Sequence, residues 1–140
     1  LLAARGAKNA AQMDSARLEW IFKLFPAVEK FWNHPAGKLS GGQKQMVAVS
    51  RAIVEPRDLL IIDEPSKGLA PAVINNRIDA FAQLKAAGTA ILLVEQNISF
   101  AKRLGDSVAV MDDGKVVHSG SMQALAEDEA LQHSLLGLAL

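Results

Sequence analysis

Between residues 16 and 25, Leu18, Ile21, Phe22 and Phe25 repeat at i, i+3, i+4, i+7, the spacing of an amphipathic helix. Pro26 interrupts or ends that helix. A loop with His34, Pro35 and Gly37 follows. From Gly41 to Val54, Met46, Val47, Val49, Ile53 and Val54 predict a second helix that stops before Pro56. The period then changes. Leu59–Ile62 is an apolar run without polar alternation, which predicts a parallel strand covered on both faces. Ile74, Ile78, Phe81 and Leu84, with Ala80, mark a helix ending near Gly88. Ala90–Val94 reads as a second buried strand and Ile98–Leu104 as a short helix. Ser107–Met111 and Lys115–Ser119 flank Asp112-Asp113-Gly114, where Asp-Gly predicts a hairpin turn. Ser121 is placed to cap a last helical segment running to Leu138, and alanine-rich residues 1–15 read as a helix or a frayed edge. Strand, helix, strand, helix and hairpin, in that order, give an α/β fold with a parallel sheet and a small antiparallel appendage.

Composition narrows the classes. The 140 residues suit one domain, and at 50% hydrophobic they can build a core. Fifteen basic and fifteen acidic residues balance to zero net charge, which gives no electrostatic footprint for a nucleic-acid partner. The absence of cysteine excludes disulfides and thiolate metal sites. No apolar run approaches the ~20 residues that a membrane-spanning helix needs, and no signal-peptide pattern is present. His34, His118 and His133 are dispersed without metal-ligand spacing. Trp20, Phe22 and Phe25 read as packing residues. The chain begins at Leu1 and not at Met, which reads as a start inside a longer protein.

Two segments carry candidate chemistry. Ser40-Gly41-Gly42-Gln43 opens a helix and has capping-box spacing. A capping box alone is structural. Two glycines in the first turn each weaken the helix by roughly 0.5–1 kcal/mol relative to alanine, and in return they leave backbone N–H groups open to an anion such as a phosphate. Asp63 and Glu64 close a hydrophobic strand, the end at which open α/β sheets bind ligands. Asp63 there suits Mg²⁺ held through water, and Glu64 suits orienting or deprotonating an attacking water; the structural alternative is that both merely cap the next loop.

Taken together, Leu39-Ser40-Gly41-Gly42-Gln43 resembles the signature motif of ABC ATPases, and Leu59 to Asp63 resembles their Walker B strand. The resemblance covers essentially all 140 residues. It implies an incomplete P-loop NTPase-like cassette: part of a helical signature subdomain at 1–57, then the C-terminal part of a RecA-like ATPase core at 58–140. No segment matches G-x-x-x-x-G-K-[ST], so the P-loop, the adenine-stacking aromatic and the Q-loop are expected upstream of Leu1. The resemblance further implies ATP and Mg²⁺ as cofactors and head-to-tail pairing with a second cassette. Ser40, Gly41, Gly42 and Gln43 then meet ATP held by the partner. Asp63, Glu64 and Gln96 serve the cassette's own nucleotide, with Glu64 and Gln96 catalytic. It also implies permease subunits in the membrane, an indirect periplasmic binding protein, and a peripheral location on the cytoplasmic face of the inner membrane.

Glu64-Pro65-Ser66-Lys67-Gly68-Leu69-Ala70-Pro71, Val94-Glu95-Gln96-Asn97 and the leucine-rich ending at 131–138 look like the F-type ATPase subunit of branched-chain amino acid importers. Gln96 stands where most cassettes carry histidine, and Ala70 where most carry aspartate; both changes recur in that subunit. Alternatives are a urea or related amide importer, a non-transport ABC ATPase, and a truncated, non-catalytic cassette that only binds a partner. Without its P-loop, the 140-residue chain is expected to be inactive alone and only marginally folded.

Overall fold

The structure, a computed structural model, describes residues 13–69 and 71–137. The reading of 1–15 therefore falls largely outside the described residues, as do those of Ala70 and Leu138. The described chain forms two compact units that divide between Val94 and Glu95.

The first unit begins with three helices. Asp14 caps α1 (Ser15–Leu24), its carboxylate accepting from the backbone N–H of Ala16 at 2.9 Å and of Arg17 at 3.2 Å. Phe25 leaves helical geometry, and Pro26 is the first residue of α2 (Pro26–Lys30). Proline suits that position because the first helical N–H has no partner to lose. Of the predicted face, Ile21 and Phe25 are buried and Leu18 and Phe22 are half-buried; Leu24 and Val28, outside the predicted set, are buried as well. A short 3₁₀ turn, Ala36–Lys38, leads to α3 (Gly41–Ala52). Arg17 Nε donates to the Ile53 carbonyl at 2.9 Å, placing a cation at the carbonyl end of α3.

Next come β1 (Leu59–Asp63), α4 (Pro71–Ala86) and β2 (Ala90–Val94). The two strands pair in parallel, from Leu59 opposite Ala90 to Asp63 opposite Val94. Buried Ile78, Ala80, Phe81 and Leu84 give α4 its apolar face. Leu60 and Ile62 are buried on one side of β1. The expectation of cover on both faces needs correction: Leu59, Leu92 and Val94 are about half exposed, and Ile61 is 64% exposed. The described residues supply an apolar layer to one face of the strand pair only.

The second unit holds α5 (Ile98–Ala101), β3 (Ser107–Asp112), β4 (Lys115–Ser121), α6 (Met122–Glu127) and α7 (Glu129–Leu136). The predicted hairpin is present. Asp113 and Gly114 both have positive φ, 44° and 72°, the pattern of a two-residue type I′ turn. β3 and β4 are antiparallel, with a bulge beside Val110 and Met111. Ser121 caps α6 through the Ala124 N–H at 3.0 Å. The single closing helix of the sequence reading is instead two. Asp128 breaks it and caps α7 through the Leu131 N–H at 2.8 Å. The side-chain amide of buried Gln132 then donates to the Leu125 and Ala126 carbonyls at 2.8 and 3.2 Å, which satisfies groups that the break leaves unpaired. Val110, Met122 and Leu125 form the buried cluster here, with Ile98, Val108 and Leu131 packed on it.

Leu84 is fully buried. Leu84→Ala is expected to destabilise the first unit by about 2–5 kcal/mol, read as a lower denaturant midpoint.

Candidate functional site

At the start of α3 the capping box is complete. Gln43 N–H donates to Ser40 Oγ at 3.3 Å, and Ser40 N–H donates to Gln43 Oε1 at 2.8 Å. Gln43 therefore spends its carbonyl oxygen on the helix start. Helical geometry gives the first-turn N–H groups of Gly41 and Gly42 no partner inside α3, so they are available to an anion. The two glycines differ in their surroundings. A Cβ at Gly41 would meet nothing within 4 Å, so the space beside it is open. A Cβ at Gly42 would lie 3.2 Å from Leu69 Cδ2 and 3.9 Å from Val73 Cγ1. Gly42 is thus glycine for packing against the segment after β1, whereas Gly41 has room beside it for a ligand.

Asp63 ends β1 with its side chain exposed. The Glu64 N–H extends the strand ladder by one bond, to the Val94 carbonyl at 2.9 Å. The chain then turns sharply: Glu64 has φ 44°, a left-handed conformation unusual for a residue with a side chain. Such strain, of order 1 kcal/mol or more, persists only where surrounding contacts impose it. Here the Lys67 N–H closes the turn on the Glu64 carbonyl at 3.2 Å, and Pro65 and Ser66 are buried. Lys67 Nζ also donates to Glu64 Oε2.

That hydrogen bond, followed by the charge of Glu64, raises the Lys67 pKa above its ordinary value. A raised lysine pKa means that the lysine side of this contact stays charged through neutral pH, its contribution being lost as pH climbs through the raised value.

No group of three or more His, Cys, Asp or Glu side chains able to hold a metal lies among the described residues. Asp63 offers one carboxylate at the strand end, which fits an ion such as Mg²⁺ that keeps most of its water and takes other ligands from phosphate. Gln96 lies in the second unit, exposed; its N–H donates to Glu95 Oε1 at 2.9 Å, and Asn97 caps α5 through the Phe100 N–H at 3.1 Å.

Sequence reasoning missed Arg77. It is 2% exposed, on α4. Its guanidinium donates to Gln45 Oε1 at 2.7 Å, to the Gly42 carbonyl at 3.3 Å and to the Pro65 carbonyl. Burial lowers its pKa. The signal was available: Arg77 follows Ile74 by three and precedes Phe81 by four, so a cation interrupts the apolar face of the helix. A cavity of about 220 Å³ between α3 and β1 is lined by Gln45, Val49, Leu60, Asp63 and Arg77 among others.

The described fold is similar to about half the length of solved ATP-binding cassettes. The family profile described as ABC transporter matches residues 4–67. In sequence, the chain is 35% identical over 121 residues to the high-affinity branched-chain amino acid transport ATP-binding protein BraG of Pseudomonas aeruginosa, covering 86% of this chain and 52% of that protein. The probable branched-chain amino acid transport ATP-binding protein LivF of Archaeoglobus fulgidus is 32% identical over 123 residues, 87% of this chain and 52% of that one. The arginine transport ATP-binding protein ArtM of Bacillus subtilis is 32% identical over 114 residues, 81% and 47%. Among solved structures, cbiO1 from Clostridium perfringens, part of the ABC transporter complex cbiONQ, has a TM-score of 0.75 at 25% identity, over 95% of this chain and 53% of that one. A dimeric cassette in a post-hydrolysis state with ADP and Pi has a TM-score of 0.71 at 26% identity, over 84% and 50%. The chain spans about half the length of the curated relatives it matches.

Gly41→Ala is expected to stabilise the protein by up to about 1 kcal/mol, because alanine is the better helix former and its methyl meets open space. Gly42→Ala should gain less or lose stability, since Leu69 must move. Thermal melts of the two variants measure the difference.

Proposed function

We propose that this chain is the signature-bearing part of an ATP-hydrolysing subunit that energises an importer of branched-chain amino acids or related compounds. The observation that carries the reading is the open space at Gly41 beside a helix start whose cap leaves glycine N–H groups available. Relatives named as amino-acid transport ATP-binding proteins support it. The segments Glu64 to Pro71 and Val94 to Asn97 favour the F-type subunit.

In this reading the cassette pairs head to tail with a second cassette. Ser40 Oγ and the N–H groups of Gly41 and Gly42 meet the γ-phosphate of ATP held by the partner, with Gln43 fixing the helix start that presents them. Asp63 would hold a Mg²⁺ ion through water, and that ion would supply neutralisation of phosphate charge. Glu64 orients a water and accepts its proton as the oxygen attacks the γ-phosphorus and the bond to ADP breaks. Gln96 is proposed to hydrogen-bond phosphate without itself changing protonation. Residues 1–57 act as the signature subdomain and 58–140 as the C-terminal part of the core. ATP binding favours the closed pair of cassettes, and that difference in affinity drives the permease subunits. No helix among the described residues is long and apolar enough to cross a membrane, and the proposed place is peripheral, on the cytoplasmic face of the inner membrane. Trp32, 44% exposed and edge-on to Phe22 at 5.1 Å between ring centres, offers an apolar contact for a permease.

Two measurements test this. In the complete protein, Glu64→Gln should abolish ATP turnover while leaving ATP-dependent pairing of cassettes; undiminished turnover would exclude Glu64 as the base. The 140-residue chain alone should show no turnover, and activity there that Glu64→Gln removes would overturn the inactive-alone reading.

A further inference from the structure

We propose that Arg77 is a positioning residue that ties the Ser40–Gln43 helix start to the turn after Asp63 and Glu64, so that the two segments move as one body. Its guanidinium reaches three oxygens from two places that are far apart in sequence. Gly42 O and Gln45 Oε1 belong to the first turns of α3, while Pro65 O belongs to the residue directly after Glu64. All three acceptors are uncharged, and Arg77 Nε has no partner among the described residues. A buried cation held only by neutral oxygens is costly, because desolvation is met by hydrogen bonds alone. A methionine of similar length would fill the same space without that cost. The arginine is therefore poorly explained by stability and well explained by geometry: a planar fork with fixed donor directions sets the relative position of its acceptors, which an apolar side chain cannot do. Gly42 reinforces the tie from the other side by packing closely on Leu69 and Val73.

The mechanical part of the proposal rests on this geometry alone. Its catalytic consequence rests on the ATPase reading given above. If Ser40, Gly41 and Gly42 meet one nucleotide while Glu64 serves another, a rigid link between them makes the two sites respond together.

The test compares Arg77→Met and Arg77→Lys in the complete chain assembled with its partner cassette. Amide hydrogen exchange in Arg77→Met should quicken roughly tenfold both at 41–46 and at 65–69, with the 107–121 hairpin unchanged. Faster exchange in one segment without the other, or in neither, overturns the tie. In the ATPase assay kcat should fall about tenfold to a hundredfold, as expected when reacting groups are misplaced, with the ATP KM within about twofold and the melting temperature unchanged or raised. Arg77→Lys, which can still donate to one or two of the oxygens, should recover part of the kcat. A kcat equal to that of the native protein, or a loss that merely follows the unfolded fraction, overturns the catalytic consequence. If the native protein itself hydrolyses no ATP, the ATPase reading fails, and the exchange measurement alone decides the tie.

Discussion

Parallel strands cannot be joined by a tight turn, and β1 and β2 are parallel. That one constraint organises the first unit. The chain must leave β1, cross over, and return to the same end of the sheet, and α4 is the element that makes the crossing. The exit from β1 then falls at the carboxyl end of the strand, where Asp63 and Glu64 stand. The sharp left-handed bend at Glu64 is where the crossing starts, after one more ladder bond to Val94. α4 also carries Arg77 back under that exit, so the crossover supplies both the path and the brace.

The helix start at Ser40 shows how one short segment can serve stability and ligand access together. Its capping box stabilises the start of α3 from within, using Ser40 and Gln43. The glycines between them contribute nothing to the cap and weaken the helix slightly. Their neighbourhoods separate two reasons for the same residue type. Gly42 is small because Leu69 is close, and Gly41 is small beside empty space. Close packing explains the first, and the second leaves backbone N–H groups beside open space. Lys67 adds a local electrostatic feature at Glu64 that persists across neutral pH.

The apolar side chains of β1 and β2 also divide by face. Leu60 and Ile62 are inside, whereas Leu59, Ile61, Leu92 and Val94 face outward. A run without polar alternation encodes cover on both faces, but it does not say which element provides each layer. The relatives that this chain matches are about twice as long. Apolar area left in water contributes nothing to folding, so this outer face adds no stability to the described fold.

The sequence by itself determined the elements and the chemistry-bearing segments. Period-3.6 spacing placed the helices, and unbroken apolar runs placed β1 and β2. Asp-Gly placed the type I′ turn, and Ser-x-x-Gln placed the capped helix start, because each of these is settled by bonds within a few residues. It did not show that Asp128 splits the last helix, where Asp128 caps α7 and Gln132 donates to the carbonyls that end α6. Nor did it distinguish Gly41 from Gly42 or give Arg77 a purpose. Those were decided by tertiary structure, for one reason. The worth of a small residue or a buried charge lies in what surrounds it, and Leu69, Gly42 and Pro65 reach their places only when α3, β1 and α4 pack together.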